Sequence, residues 1–349
     1  MDGDIKSDDI NYLPTEVISH ILQFLNLADK KNASLVCWKW YEASIHPMFL
    51  NKEDIYLKDL KNHKILDVLS IFTKSKRSIF RFKICGLGIS YSDDAMNYAH
   101  FISNEHWVNT VWPLLANKVV SLEFFDTVEF VDNILPAMLN VTQQLRTLKI
   151  HNLQYCHTEE FYKMKRIDSL RELKLDCFLT DNINNGKLLG VIPKQLQVLS
   201  LKSMWGSQSI IGDLITIFEF CAPHLKTLDL MNIDASPELM HSISTMDMKL
   251  SAFRLTLADP IHYDHEPSIF DPIFETDWPL ISLTLRADCL LDEHFIKISE
   301  KFKNVRNLSL SSESSIVDFT DDGIAQSFRA LTKLKNVYLG ANSGYKEFY

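Results

Sequence analysis

One six-residue arrangement of apolar positions keeps returning along this chain: apolar, two free positions, apolar, one free position, apolar. It starts at Ile79, Val119, Leu145, Leu170, Leu196, Leu225, Leu250, Leu280, Val305 and Leu334. The first interval is 40 residues, and every later one lies between 25 and 30. A fragment at Asp54-Ile55-Tyr56-Leu57 reads as a degenerate leading copy. Within each copy the last apolar positions alternate, as a strand with one buried face requires. Helical segments are expected between the strands. Ser92-Asp-Asp, Thr158-Glu-Glu, Ser236-Pro-Glu and Thr320-Asp-Asp each offer a short oxygen to cap helix N–H groups, then carboxylates at the positive end of the dipole. One strand and one helix cannot hide their own apolar face, so the copies must stack. An unrelated α/β protein with leucine-rich strands is the alternative, and the regular spacing argues against it.

A second pattern precedes the repeats. In Leu13-Pro-Thr-Glu-Val-Ile-Ser-His-Ile-Leu-Gln-Phe-Leu, the residues Val17, Ile18, Ile21, Leu22 and Leu25 fall at helical spacing and form one wide apolar stripe. Pro14 suits the start of that helix. Asp29 is placed to cap the next one, and Ser34-Leu35-Val36-Cys37 with Trp40 is expected in a third. With Phe24, Leu27 and Trp38, three short helices hold more apolar side chains than so small a unit can cover. The surplus predicts an exposed interface; an ordinary cap closing the first repeat is the alternative.

The repeat resembles the leucine-rich repeat family, in the longer form found in F-box proteins. Phe319-Thr320-Asp321, Leu179-Thr180-Asp181 and Leu291-Asp292-Glu293 look like that form's Leu-Thr-Asp turn. The family often places Asn or Cys three residues after the strand, where this chain has Leu153, Phe178, Met204 or Ile233. The N-terminal stretch is similar to an F-box through Leu13, Pro14, Glu16, Val17, Ile21, Leu22, Leu25, Asp29, Ser34, Leu35, Val36, Cys37, Trp40 and Pro47. Trp38 stands where that motif has lysine. The resemblance implies an α/β fold: a leucine-rich-repeat horseshoe solenoid, with a parallel inner sheet and outer helices, preceded by a small all-α F-box. The boundaries expected are an N-terminus at 1–10, the F-box at 11–50, about ten repeats at 51–339 and a tail loop at 340–349. It further implies a substrate-recognition subunit of an SCF-type ubiquitin ligase. Leu13, Pro14, Glu16, Val17, Ile21, Leu22, Leu25, Leu35, Val36 and Trp40 would then face the Skp adaptor, and through it a cullin scaffold. A leucine-rich-repeat scaffold in a Skp-containing complex not devoted to degradation is the second reading.

A substrate would meet the third, fifth and seventh positions of each strand, which face away from the helices. There Lys149, His151, Lys174 and Lys202, with Arg254 and Arg286 further on, suggest a site for an acidic or phosphorylated protein segment. Phe125, Asp176 and Met231 lie among them. A solvated sheet face kept soluble by its charges is the other reading. The long insertion from Asp259 to Trp278 is expected to tuck Phe270 and Phe274 onto a neighbouring repeat. Its His262, Asp264 and His265 lack the further ligands a metal needs.

Composition narrows the rest. A formal net charge of −9 argues against a general nucleic-acid binder. There is no run of about 18 apolar residues and no basic leader, so neither a membrane span nor a signal peptide is expected. The six cysteines form no C-x-x-C and read as reduced thiols of a cytoplasmic or nuclear protein. Nucleophile-elbow, P-loop, zinc-protease and dinucleotide motifs are all missing, so no cofactor and no catalysis by this chain are expected.

Overall fold

The computed structural model describes residues 13–46, 49, 54–58, 70–74, 79–85, 107–125, 134–151, 165–179, 192–203, 211–233, 236–257, 267–287, 290–312 and 319–341. The N-cap motifs at Ser92 and Thr158, the Thr180-Asp181 turn and the His262–His265 segment lie outside them.

Three short helices come first: α1 (Thr15–Leu22), α2 (Leu27–Ser34) and α3 (Trp38–Ser44). Ile18, Leu22, Trp40, Ala43 and Phe49 form their small core, with Leu13, Leu25, Ala33 and Cys37 packed at its margin. Two local expectations need correction. Asn26, rather than Asp29, caps the second helix: its side chain accepts the Asp29 N–H at 3.0 Å, and Asp29 sits in the first turn. The third helix begins at Trp38, so Leu35, Val36 and Cys37 form the turn before it. Pro14 occupies the N-cap itself, extended at ψ 148°, and its carbonyl accepts from Val17 and Ile18.

Behind this unit stands one sheet of eleven parallel strands, each hydrogen-bonded to its neighbours in chain order. The strands are β1 (Ile55–Lys58), β2 (Phe80–Cys85), β3 (Val119–Phe125), β4 (Thr147–Ile150), β5 (Glu172–Leu179) and β6 (Val198–Ser203). They continue as β7 (Thr227–Ile233), β8 (Ala252–Leu257), β9 (Ser282–Arg286), β10 (Asn307–Ser312) and β11 (Asn336–Ala341). All ten predicted copies supply a strand, and the degenerate fragment supplies β1. The last strand runs through Gly340 to Ala341, past the expected end of the repeats at 339. Register is strict: Thr147, Glu172, Val198, Thr227, Ala252, Ser282, Asn307 and Asn336 stand side by side.

The backbone repeats as faithfully as the side chains. The carbonyl before each strand from β4 to β10 accepts two N–H groups from the following copy, as Arg171 O does from Gln197 and Val198 at 2.9 and 3.0 Å. Arg146, Gln197, Lys226, Ser251, Ile281 and Arg306 do the same. This bond satisfies polar groups that would otherwise be orphaned at the strand entrance and pins one copy to the next.

The fourth and sixth positions point into a single apolar layer under the helices. Leu148, Leu173, Leu199, Leu228, Phe253, Leu283 and Leu308 are each at most 2% exposed. Each such side chain contributes about 2 kcal/mol by leaving water, but only against neighbouring copies, because no copy covers its own. Ser236 caps the helix Pro237–Thr245 by accepting from Leu239 N, and Thr320 caps the helix Asp321–Ala330 by accepting from Gly323 N. Both were legible caps. Phe270 and Phe274 are buried and pack their rings against His294 of the next repeat, as expected of the insertion. Ile233, where the family would place Asn or Cys, is buried in the apolar layer. Its neighbour Asn232 takes φ 58°, a left-handed conformation asparagine tolerates, at the point where the β7–β8 register shifts.

Candidate functional site

Two surfaces fall on residues the sequence singled out. The first is on the helical unit. Its inner positions are few, so the apolar excess has to face out. Leu35 is 83% exposed, Phe24 77%, Trp38 71% and Val36 62%. The turn from α2 to α3 thus carries Leu35, Val36 and Trp38 in succession, with Tyr41 one helical turn on and its ring 5.2 Å from that of Trp38. Val17, Pro14 and Glu16 are exposed as well, and Leu13, Ile21 and Leu25 are half-buried.

Two of the residues assigned to the adaptor face lie inside. Leu22 is fully buried, and Trp40 is buried with its indole N–H unpaired among the described residues. They pack in the small core between α1 and α3, Leu22 wholly and Trp40 almost wholly shielded. Phe24 and Trp38, counted in the surplus but not assigned to the adaptor face, are exposed, and so is Tyr41. Their signal was the surplus itself: a core of five buried residues cannot enclose every large apolar side chain of the unit.

The second surface is the open face of the sheet, formed by the third, fifth and seventh strand positions. The expected basic group there is interleaved with carboxylates. Glu172 lies between Lys149 (3.5 Å) and Lys174 (3.3 Å). His151 contacts Asp176 through Nδ1 at 2.6 Å and Glu123 through Nε2 at 3.1 Å, and its ring stacks on Phe125 at 4.7 Å. Lys83 bridges Asp54 and Glu123 at 3.1 and 3.3 Å, completing a chain of polar contacts from Asp54, just before β1, to Asp176 on β5. Such part-exposed pairs are each worth about 0.2–1 kcal/mol, so the ladder fixes side-chain positions more than it stabilises the sheet. This part of the face is therefore charge-balanced and offers no concentrated positive field. Burial would raise the Asp54 carboxyl, yet hydrogen bonds from Arg81 and Lys83 outweigh it and hold the group below the usual carboxylate range. The bond to Asp54 raises the Lys83 ammonium in turn, against its desolvation.

Past β7 the composition changes. The outward residues are Ala252, Arg254 and Thr256 on β8, then Ser282, Thr284 and Arg286 on β9. On β10 and β11 they are Asn307, Ser309, Ser311, Asn336, Tyr338 and Gly340. None is acidic. At the border, burial pushes Asp229 on β7 above the usual carboxylate range, opposed by Arg254 and Ser200. Its Oδ2 lies 3.5 Å from Arg254 and accepts from Ser200 Oγ at 3.3 Å. Lys202 is exposed and Met231 half-buried on the strands before this border.

Among the described residues, no group of His, Cys, Asp and Glu is arranged to hold a metal, and no helix is long and apolar enough to cross a membrane.

The F-box-like family model matches residues 10–52, the span of the helical unit. No curated protein matches the chain. Twenty-four chains of known structure match it. One is the crystal structure of a protein from Bacteroides fragilis, 14% identical, aligned over 92% of this chain and 84% of that one with a TM-score of 0.48. Helical unit, strand register and family match together define an F-box-like domain in front of a leucine-rich-repeat solenoid. The chain thus carries an F-box-like domain at its helical unit, followed by a repeat region.

Proposed function

We propose that this chain is the substrate-recognition subunit of an SCF-type ubiquitin ligase. The F-box-like domain docks on a Skp-type adaptor and through it on a cullin scaffold; the open face of the repeats receives a protein substrate. Ubiquitin transfer belongs to the partners, and the chain works in the cytoplasm or nucleus. One observation carries the reading: the helical unit exposes Leu35, Val36 and Trp38 along a single turn. Exposing that surface to water costs free energy, and covering it with a partner is favourable. The adaptor-facing set then centres on Leu35, Val36, Trp38 and Phe24, with Leu13, Pro14, Glu16, Val17, Ile21 and Leu25 around them. Leu22 and Trp40 support it from within.

Hydrogen exchange of the chain with and without a purified Skp adaptor tests the proposal. Amides from Leu35 to Tyr41 should slow on addition, while those of β6 to β10 stay unchanged. Unaltered exchange in that turn at saturating adaptor would remove the reading.

A further inference from the structure

We propose that the strand-entrance edge of the repeats is a contact surface for an anionic phospholipid membrane. The inference goes beyond the adaptor reading and does not depend on it. All strands run parallel and pair in chain order, so the stretches leading into them share one edge of the sheet. Entering β4 to β11, those stretches hold eleven lysines and arginines against four carboxylates, in a chain whose formal net charge is −9. Arg146, Arg171, Lys226, Arg306 and Lys335 form one row, each directly before a residue that stands level with its neighbours across the strands. The backbone fixes that row, because the carbonyls of the first four each accept two N–H groups from the following copy. Lys165, Lys194, Lys249, Lys303 and Lys333 make a second row just ahead of it. Of the eleven cations, all but Arg171 are exposed. Among the described residues their one ion pair is Lys249 with Asp247 at 3.3 Å, both largely exposed. Arg166 and Lys194 gather over the ring of Phe220 at 5.1 and 5.6 Å, which orients both and neutralises neither. Glu275 and Asp277 fall in the single stretch without a cation, and Asp277 is paired with Lys301 at 3.0 Å. That same stretch places Ile281 in the row, 44% exposed.

The spread of these charges selects among polyanions. From β4 to β11 the row crosses seven strand intervals, roughly 34 Å at about 4.8 Å each. Its cations are strung along an edge and do not converge on one point, so they suit negative charge spread over a surface. An acidic peptide would have to be ordered along the whole row, at an entropic cost for every residue. Lipid headgroups diffuse to the cations and need no such ordering. Single-stranded nucleic acid is held by exposed aromatic rings beside cations, and no Phe, Tyr or Trp in these stretches is exposed: Trp278 and Phe302 are buried. Ile281 stands there instead, an apolar side chain suited to the headgroup boundary. The negative surface of a cytoplasmic leaflet attracts lysine and arginine close to it. Acidic groups of the chain that lie further than about 8 Å from that surface are screened at physiological ionic strength, so the edge acts on its own charge.

Flotation of the full chain with vesicles tests the proposal, comparing phosphatidylcholine alone with a mixture holding roughly 30% phosphatidylserine. At low salt the chain should float with the anionic vesicles about tenfold more than with the neutral ones, and it should stay behind at about 0.5 M salt. Lys226→Glu with Arg306→Glu should cut flotation on the order of tenfold or more, with an unchanged melting temperature because both side chains are exposed. Lys202→Glu, at an exposed lysine of the open face, is the control and should leave flotation as it was. Equal flotation with both kinds of vesicle overturns the proposal. So does flotation that survives the double variant, or that Lys202→Glu lowers as much. Polyglutamate and duplex DNA are added as competitors in charge-matched amounts. Displacement of the chain from the vesicles by either would give the edge to that polymer and overturn the membrane assignment.

Discussion

Asp292 opens the helix Asp292–Lys301, yet its carboxylate serves the following repeat. One oxygen accepts the Thr320 backbone N–H at 2.8 Å and the other accepts the Thr320 hydroxyl. That hydroxyl in turn accepts the Gly323 N–H at 3.2 Å, capping the helix Asp321–Ala330. Asp292→Ala removes both acceptors at once and frees the capping hydroxyl to turn away. A hydrogen bond to a charged acceptor contributes about 1.5–3 kcal/mol when shielded. Here Asp292 is half-buried and Thr320 exposed, so the pair together should be worth roughly 2 kcal/mol after solvent screening. In a solenoid that loss stays with the nearest neighbours. Amides of the helix Asp321–Ala330 should then exchange on the order of 30-fold faster, while those of residues 211–245 keep their rates. Gly323→Ala probes the same clasp from the other side. A Cβ there would press on the Asp292 carboxylate, so the substitution should be destabilising in the wild type. In the Asp292→Ala background it should become neutral or stabilising, because alanine is up to about 1 kcal/mol better than glycine in a helix. Hydrogen exchange read by mass spectrometry decides the matter. Unchanged protection of residues 321–330, or an equal loss at residues 211–245, would refute the reasoning.

Further outcomes follow from the buried ionisable groups and the apolar layer. Burial raises the Asp229 carboxyl, so its ionisation costs stability above the folded pKa, and that cost vanishes as pH falls through it towards the unfolded carboxylate range. Asp229→Asn should accordingly match or exceed the wild type in urea midpoint at pH 7, with the gap shrinking towards pH 4; a variant clearly weaker at pH 7 contradicts this. Burial pushes the Cys221 thiol up to about 12, so iodoacetamide at pH 8 should leave it unmodified in the native chain and label it after denaturation. Leu228, fully buried on β7, should cost about 3–5 kcal/mol on replacement by alanine, read as a lowered urea midpoint.

Most of the solenoid was legible because its signal is periodic. A strand with one buried face writes its alternation into the sequence, and a 25-to-30-residue interval between such strands leaves stacking as the only way to cover them. Even the degenerate Ile55-Tyr56-Leu57 fragment paired as a strand, with Leu57 in the apolar layer. The helical unit was less legible in detail. Helical spacing marks Val17, Ile18, Ile21 and Leu22 alike as apolar, but only the packing of α1 on α3 decides which of them turn inward. That is why Leu22 and Trp40 lie inside, while Phe24 and Trp38 stay exposed. On the open face, the sign of each residue is legible in the sequence but its partner is not. Lys149, His151 and Lys174 look basic one by one; the register sets Glu123, Glu172 and Asp176 between them. That β8 to β11 carry no outward carboxylate appears only when the strands are aligned.

The central claim is that the exposed turn between α2 and α3 is a docking surface. Titration calorimetry of a purified Skp adaptor against the wild type and against Leu35→Asp with Trp38→Asp tests it most directly. Both side chains are more than two-thirds exposed, so the double variant should melt with the wild type while its affinity falls by about 30-fold or more. Equal affinity in the two proteins, or no binding by the wild type, would contradict the account.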